Sequence, residues 1–166
     1  MMVSVPLDKN QHDRQRFDCG VKELNHYLRV IANQQSFRDN TRTFILQDVN
    51  TPEYIAGYYT LTMIPLELSK LPLKLQKKHQ HARAGGLIAR LAVDQRYSRQ
   101  GFGEWLVIDA LKKLLQASEV VAFPFISVDA KDGAAPFYEK LGFTPMQDTP
   151  NNLYMTIADV RLSLAL

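Results

Sequence analysis

The chain has 166 residues, 46% of them hydrophobic, a single cysteine, and a formal net charge of +3 with a sequence pI near 9.0. This is enough apolar material for one sizeable core, so residues 1–166 are expected to form one domain. One cysteine excludes an internal disulfide framework and suits a reducing compartment, with the cytoplasm as the expected location; no run of about 18 consecutive apolar residues occurs and Met1–Pro6 has no basic start, so neither a membrane span nor an export signal is expected.

In chain order, Val3-Ser4-Val5-Pro6-Leu7 alternates weakly and predicts a first strand, and Asp8 to Arg16 is polar and irregular. Phe17-Asp18-Cys19-Gly20 leads into a helical region running from Val21 towards Asp39, with Leu24, Tyr27, Leu28 and Ile31 on one stripe. Cys19 has no identifiable base nearby and reads as a small apolar residue, not a nucleophile. Thr41–Leu46 and Tyr54–Ile64 are rich in β-branched and aromatic residues, and Asn50-Thr51-Pro52-Glu53 between them is turn chemistry, which predicts an antiparallel hairpin.

From Leu68 to Val93 there is no acidic residue, while Lys70, Lys74, Lys77, Lys78, Arg83 and Arg90 give the stretch +6 and leave −3 for the remainder. His79 and His81 sit in its middle, where phosphate would favour their protonated forms. The run fits either a solvated helix face or a nucleic-acid contact in which Lys74, Lys77, Lys78, Arg83 and Arg90 meet phosphates.

Leu87–Val93, bounded by Gly85-Gly86 and Asp94, reads as a strand buried on both faces. After a loop, Arg99-Gln100-Gly101-Phe102-Gly103 opens a helix with Leu106, Val107, Ala110, Leu111 and Leu114 inward and Asp109, Lys112, Lys113 and Gln116 opposite. Trp105 falls on the polar side, where an exposed ring marks an interface, for instance of a homodimer, or else packs on a neighbouring loop. Two glycines let the backbone approach a ligand, and the free N–H groups of a first helical turn favour an anion. Glu104 after Gly103 excludes a Walker loop, and Asp94–Gln100 and Leu106 stand where a dinucleotide fingerprint needs other residues.

Phe123–Val128 predicts a further strand, and the β-helix-β order implies a parallel crossover, with Pro124 at a strand start or an interruption. A short helix is expected from near Asp132, with Pro136 in its first turn and Gly142 ending it. Asn152–Thr156 is the expected last strand, followed by a short apolar tail to Leu166. No metal site is expected.

Ser98-Arg99-Gln100-Gly101-Phe102-Gly103 resembles the acetyl-coenzyme A loop of the GNAT superfamily of N-acetyltransferases, Gln/Arg-x-x-Gly-x-Gly/Ala, with Ser98 departing from its first position. Ala134 to Phe143 is similar to the Ala-x-x-Phe-Tyr-x-Lys-x-Gly-Phe closing motif of the same domains. The resemblance implies an α/β (α+β) GNAT fold: a mixed central sheet flanked by helices, whose central strands, ending here at Val93 and Val128, splay to admit the pantetheine arm. It implies an acetyl-CoA site at Leu91, Ala92, Val93, Arg99, Gln100, Gly101, Phe102, Gly103 and Glu104, an oxyanion donor in a backbone N–H near Val93, and Tyr138 as general acid.

A narrower resemblance rests on Phe17-x-Cys19-Gly20-x-x-x-Leu24-Asn25-x-Tyr27-Leu28, on Ala89–Asp94 and on Phe137-Tyr138, which together look like the GNAT toxins of bacterial type II toxin–antitoxin modules. It implies acetylation of the α-amine of aminoacyl-tRNA, arrest of translation, and a ribbon-helix-helix antitoxin as partner. An α-amine of pKa about 7.7–8.0 is partly neutral at pH 7, whereas a lysine at about 10.4 is neutral some hundredfold less often, so no protein base is required. Two other readings stay open: a GNAT enzyme for small amines or protein N-termini, and a nucleic-acid- or coenzyme-binding module without catalysis.

Overall fold

β-branched and aromatic residues place the first strands. In the computed structural model, which describes residues 1–165, these are β1 (Met2–Pro6), β2 (Arg42–Asp48) and β3 (Gly57–Pro65). They are followed by β4 (Ala84–Val93), β5 (Phe125–Asp129), β6 (Thr144–Met146) and β7 (Thr149–Thr156), in one sheet of order β1-β2-β3-β4-β5-β7-β6. The β4–β5 pairing is parallel, and β1–β2, β2–β3, β5–β7 and β6–β7 are antiparallel, giving the expected mixed sheet. Contacts group the residues into two compact units, Met1–Thr62 with Ala89–Ala110, and Met63–Ile88 with Leu111 onward. No helix among the described residues is long and apolar enough to cross a membrane.

In the first unit, the hairpin expected on either side of Asn50–Glu53 is present, paired from Arg42↔Leu61 to Leu46↔Gly57. Tyr54-Ile55-Ala56 lie outside β3, contrary to expectation: Ile55 and Ala56 are buried in the connection, where the Ala56 N–H donates to the Leu46 carbonyl at 2.8 Å. The helical region is α1 (Lys22–His26), a π turn (Tyr27–Ile31) and α2 (Ala32–Phe37). The π turn shifts the apolar stripe, so that Ala32 is fully buried and Ile31 only partly. Leu24, Tyr27, Leu28 and Ala32 pack with Phe17, Ile45 and Tyr58, and the Tyr58 hydroxyl donates to the Leu24 carbonyl at 2.7 Å.

α4 (Phe102–Val120) carries the predicted stripe inward: Leu106, Val107, Ala110, Leu111 and Leu114 are all buried, each contributing of order 1.5–3 kcal/mol for the larger side chains. One residue of its outer face differs from expectation: Asp109 is partly buried and accepts the Tyr59 hydroxyl at 2.6 Å. Trp105 is partly buried, which favours a ring packed on the protein over an exposed interface ring.

The second unit holds α3 (Leu73–Lys78), α5 (Ala135–Lys140) and α6 (Ile157–Leu164). Gly85 and Gly86 do not bound β4 but lie inside it. A Cβ on Gly85 would stand 3.0 Å from the Phe125 carbonyl oxygen, and one on Gly86 3.0 Å from Leu114 Cδ2 and 3.1 Å from Phe123 Cε2, so the missing side chains let β5 and α4 close on the strand. The first half of β4 is buried as expected, whereas Arg90 is exposed and Leu91 and Val93 only partly covered. β5 begins after Pro124, whose carbonyl accepts the Ile157 N–H at 2.8 Å. The helix expected near Asp132 starts at Ala135, with Pro136 in its first turn and Gly142 past its end at φ +103°. Instead of an apolar tail the chain forms α6, capped by the Thr156 hydroxyl accepting the Asp159 N–H at 3.0 Å; Leu166 lies outside the described residues.

Candidate active site

The link from β4 to α4 is built by backbone geometry. Leu91, Ala92 and Val93 end β4, and the Asp94 N–H then donates to the Ala56 carbonyl at 2.8 Å. A Cβ on Gly57 would lie 2.9 Å from the Ala92 carbonyl oxygen, so that glycine admits the end of β4 against β3. Asp94, 1% exposed, caps the turn Gln95–Tyr97 by accepting the Arg96 N–H at 2.9 Å. Burial alone would raise its carboxyl, but the Arg96 guanidinium and the Asp18 and Arg96 N–H groups outweigh this and hold it below the ordinary carboxylate range.

The chain next turns at Arg99 (φ +62°) and Gly101 (φ +80°), both left-handed, and enters α4 at Phe102. A non-glycine residue there is strained by about 1–3 kcal/mol, which the surrounding turn must sustain. The bond from the Trp105 N–H to the Gly101 carbonyl, 3.1 Å, starts the helical ladder, so the N–H groups of Phe102, Gly103 and Glu104 precede it and belong to the unsatisfied first turn. Nothing lies within 4 Å of a Cβ built on Gly101. Arg99, Gln100, Gly101 and Glu104 are exposed, and Phe102 packs its ring at 6.1 Å from Tyr97. An open left-handed turn with free N–H groups at the positive end of a 19-residue helix fits a pyrophosphate. The first unit thus brings together all nine residues expected at the acetyl-CoA site.

Tyr138 belongs to the second unit, on α5. It is 6% exposed, edge-on to Phe137 at 5.0 Å and to Phe143 at 5.8 Å, and the Phe143 N–H donates back to its carbonyl at 3.2 Å. Burial pushes its phenol up to about 12, so the hydroxyl keeps its proton at neutral pH.

The basic residues do not form one set. Lys74, Lys77, Lys78 and Arg83 are exposed in the second unit, and Lys70 is ion-paired to Glu67 at 3.0 Å. Arg90 belongs to the first unit, its guanidinium carbon 4.8 Å above the Tyr27 ring centroid. His79 packs edge-on against Phe125 at 4.9 Å, and burial, then Lys78, lowers its pKa, which opposes the protonated form expected beside phosphate.

The network around Asp94 is an addition to the sequence-based reading. Asp18 Oδ1 accepts the Gly20 N–H at 2.8 Å and Asn25 Nδ2 at 3.0 Å, while Asn25 Oδ1 accepts the Cys19 N–H at 2.9 Å. The Phe17–Leu28 motif thus orders a loop whose Asp18 carbonyl accepts the Gln95 N–H at 2.9 Å. Its short polar residues at close spacing were the available signal.

The mixed sheet, the strand-turn-helix link and the buried phenol agree with an acyltransferase of the GNAT class: the acetyltransferase (GNAT) domain model matches residues 79–162, half of the chain, and the chain belongs to that family. It is 26% identical over 87% of its length to a tRNA-acetylating toxin of Mycobacterium tuberculosis (strain ATCC 25618 / H37Rv), covering 86% of that protein. It is similar in structure to AtaT complexed with acetyl-methionyl-tRNAfMet, with a TM-score of 0.88 and 29% identity over 99% of this chain and 100% of that one. A further neighbour is a mutant AtaT toxin bound to the C-terminus of the antitoxin AtaR and acetyl-CoA, with a TM-score of 0.82 and 29% identity over 99% of each chain.

Proposed function

We propose that this enzyme transfers an acetyl group from acetyl-CoA to the α-amine of an aminoacyl-tRNA in the cytoplasm, acting as the toxin of a toxin–antitoxin pair. The observation that carries this is the likeness along the whole chain to AtaT in complex with acetyl-methionyl-tRNAfMet. The antitoxin-bound neighbour supports a protein antitoxin as its inhibitor.

Acetyl-CoA supplies the activated acyl group as a thioester. The N–H groups of Phe102, Gly103 and Glu104 hold its pyrophosphate, with Arg99, Gln100 and Gly101 shaping the turn. Leu91, Ala92 and Val93 would hold its arm, and a backbone N–H near Val93 would stabilise the carbonyl oxygen as that oxygen gains charge. In the overall change a C–S bond breaks and a C–N bond forms; nitrogen loses one proton and sulfur gains one. Tyr138 donates towards sulfur. A phenol near 12 would give its proton to a thiolate of ordinary basicity, about 8.5, at a cost of several kcal/mol, so Tyr138 chiefly holds a hydrogen bond on the departing sulfur until the amine sheds its proton. Exposed Lys74, Lys77, Lys78, Arg83 and Arg90 meet RNA phosphates.

Labelled acetyl-CoA with total tRNA tests this. Label should appear on aminoacylated but not deacylated RNA and be released by mild alkali, which cleaves the ester. Labelling of peptides or polyamines with none on charged tRNA would overturn the acceptor and return the enzyme to small amines or protein N-termini.

A further inference from the structure

Lys74 and Lys78 stand one helical turn apart on α3, and with no acidic residue between Leu68 and Val93 their mutual repulsion is unrelieved on that segment. Both line a cleft of about 730 Å³, together with His81 and, from the β7–α6 junction, Thr156, Asp159 and Arg161. The volume is that of a site for a nucleotide-sized ligand. Lys74, Lys78 and Arg161 bring three full positive charges against the single carboxylate of Asp159, and none of these three cations is in an ion pair among the described residues. Lys112 of α4, also exposed, is not part of the lining. Phe123 and Pro124 at the entry to β5 also line it, whereas α5 with Tyr138 follows that strand's other end; neither Tyr138 nor the glycine turn lines the cleft.

We infer that this cleft is a phosphodiester-binding site for the RNA acceptor, with Arg161 of α6 its anchor. The inference rests on the aminoacyl-tRNA reading above. A guanidinium presents paired donors that match two phosphate oxygens, and two ammonium groups on the facing helix neutralise charge without demanding a geometry. Binding there offsets the Lys74–Lys78 repulsion, which gives the like-charged pair a role that a merely solvated face would not need. The substrate is thereby gripped at two places, its aminoacyl end for chemistry and its backbone for affinity.

The test compares wild type with Arg161→Glu, Arg161→Gln, Lys74→Glu and, as the control outside the cleft, Lys112→Glu. KM is measured for charged tRNA across a salt series and for an amino-acid ester that carries no phosphate, with acetyl-CoA affinity followed by calorimetry. Arg161→Glu and Lys74→Glu should each raise KM for charged tRNA about tenfold or more and reduce the log–log salt slope by about 0.7–0.9 per lost contact. Arg161→Gln should fall between them and wild type, Lys112→Glu should change KM by less than about threefold, and ester turnover and acetyl-CoA affinity should stay as in wild type. Equal effects of Lys112→Glu and Arg161→Glu would replace the site by a diffuse field. Weakened acetyl-CoA binding would give the cleft to the cofactor, and loss of antitoxin inhibition with an unchanged KM for tRNA would give it to a protein partner. A wild-type enzyme that labels charged tRNA while Arg161→Glu does so equally well defeats this inference alone; a wild type that labels no charged tRNA defeats the acceptor reading itself.

Discussion

The Asp94 carboxylate accepts the backbone N–H of Asp18 at 3.0 Å, tying the loop ahead of α1 to the residue that follows β4. The same carboxylate accepts from Arg96 Nε at 3.0 Å and Nη2 at 3.1 Å, so one buried anion joins two segments 76 positions apart. The Arg96 side chain is 44% exposed, so the ion pair contributes little beyond these bonds.

Asp94→Asn keeps the shape and turns an amide N–H₂ towards N–H donors. Loss of charge-assisted bonds at a buried site should cost about 1.5–3 kcal/mol, several degrees in Tm for a chain of this size. Because the folded carboxyl is held below its unfolded value, its contribution is present above about pH 4 and is lost as pH falls through the folded value. Denaturant titrations at pH 7 and pH 3 should therefore show the difference between wild type and variant shrinking at the lower pH; an equal difference at both would mean that the charge is not what matters.

Gly101→Ala probes the anion cradle. The left-handed φ of +80° costs a methyl-bearing residue about 1–2 kcal/mol, but with nothing within 4 Å of the new Cβ the variant should fold. If the turn holds pyrophosphate, that methyl meets the ligand, and calorimetry should find acetyl-CoA bound at least about tenfold more weakly. Unchanged affinity in the folded variant would move the cofactor elsewhere.

Tyr138→Phe removes a hydroxyl and keeps the packed ring, so Tm should hold within a few degrees while kcat falls by roughly 10²–10⁴-fold and acetyl-CoA affinity is retained. With the phenol at about 12, kcat/KM in wild type should rise with pH through the amine value of about 7.7–8.0 and not turn down before roughly pH 11. A downturn near pH 9 would assign the acid to another group.

Much of this was legible because local chemistry and tertiary context agreed. The stripe Leu106–Leu114, the turn at Asn50–Glu53 and the Gly101 turn each follow from one pattern and one neighbour. Disagreement came where a distant partner decides. Gly85-Gly86 reads as punctuation locally, yet Phe125 and Leu114 require it within a strand. Asp109 reads as solvent-facing until Tyr59 is brought beneath it, and β6 is three residues with a proline, too short for any periodicity. α6 did carry a signal, since Thr156-Ile157-Ala158-Asp159 is a helix-start pattern, but the apolar residues around it masked the turn.

The parallel ladder between β4 and β5 has kinetic consequences. It is three pairs long and joins Gly86 to Ile126, 40 positions away, so its few hydrogen bonds cannot offset closing so long a chain segment unaided. α4 spans 19 of those residues and, once formed, turns about half of the segment into a rod of roughly 28 Å. Helix formation is therefore expected to precede strand pairing, so that the packing of Leu114 and Phe123 around Gly86 forms late. A methyl placed there by Gly86→Ala should accelerate unfolding and leave the refolding arm of a chevron nearly where it was. Gly86 thereby sets how long the folded protein persists, not how quickly it is made.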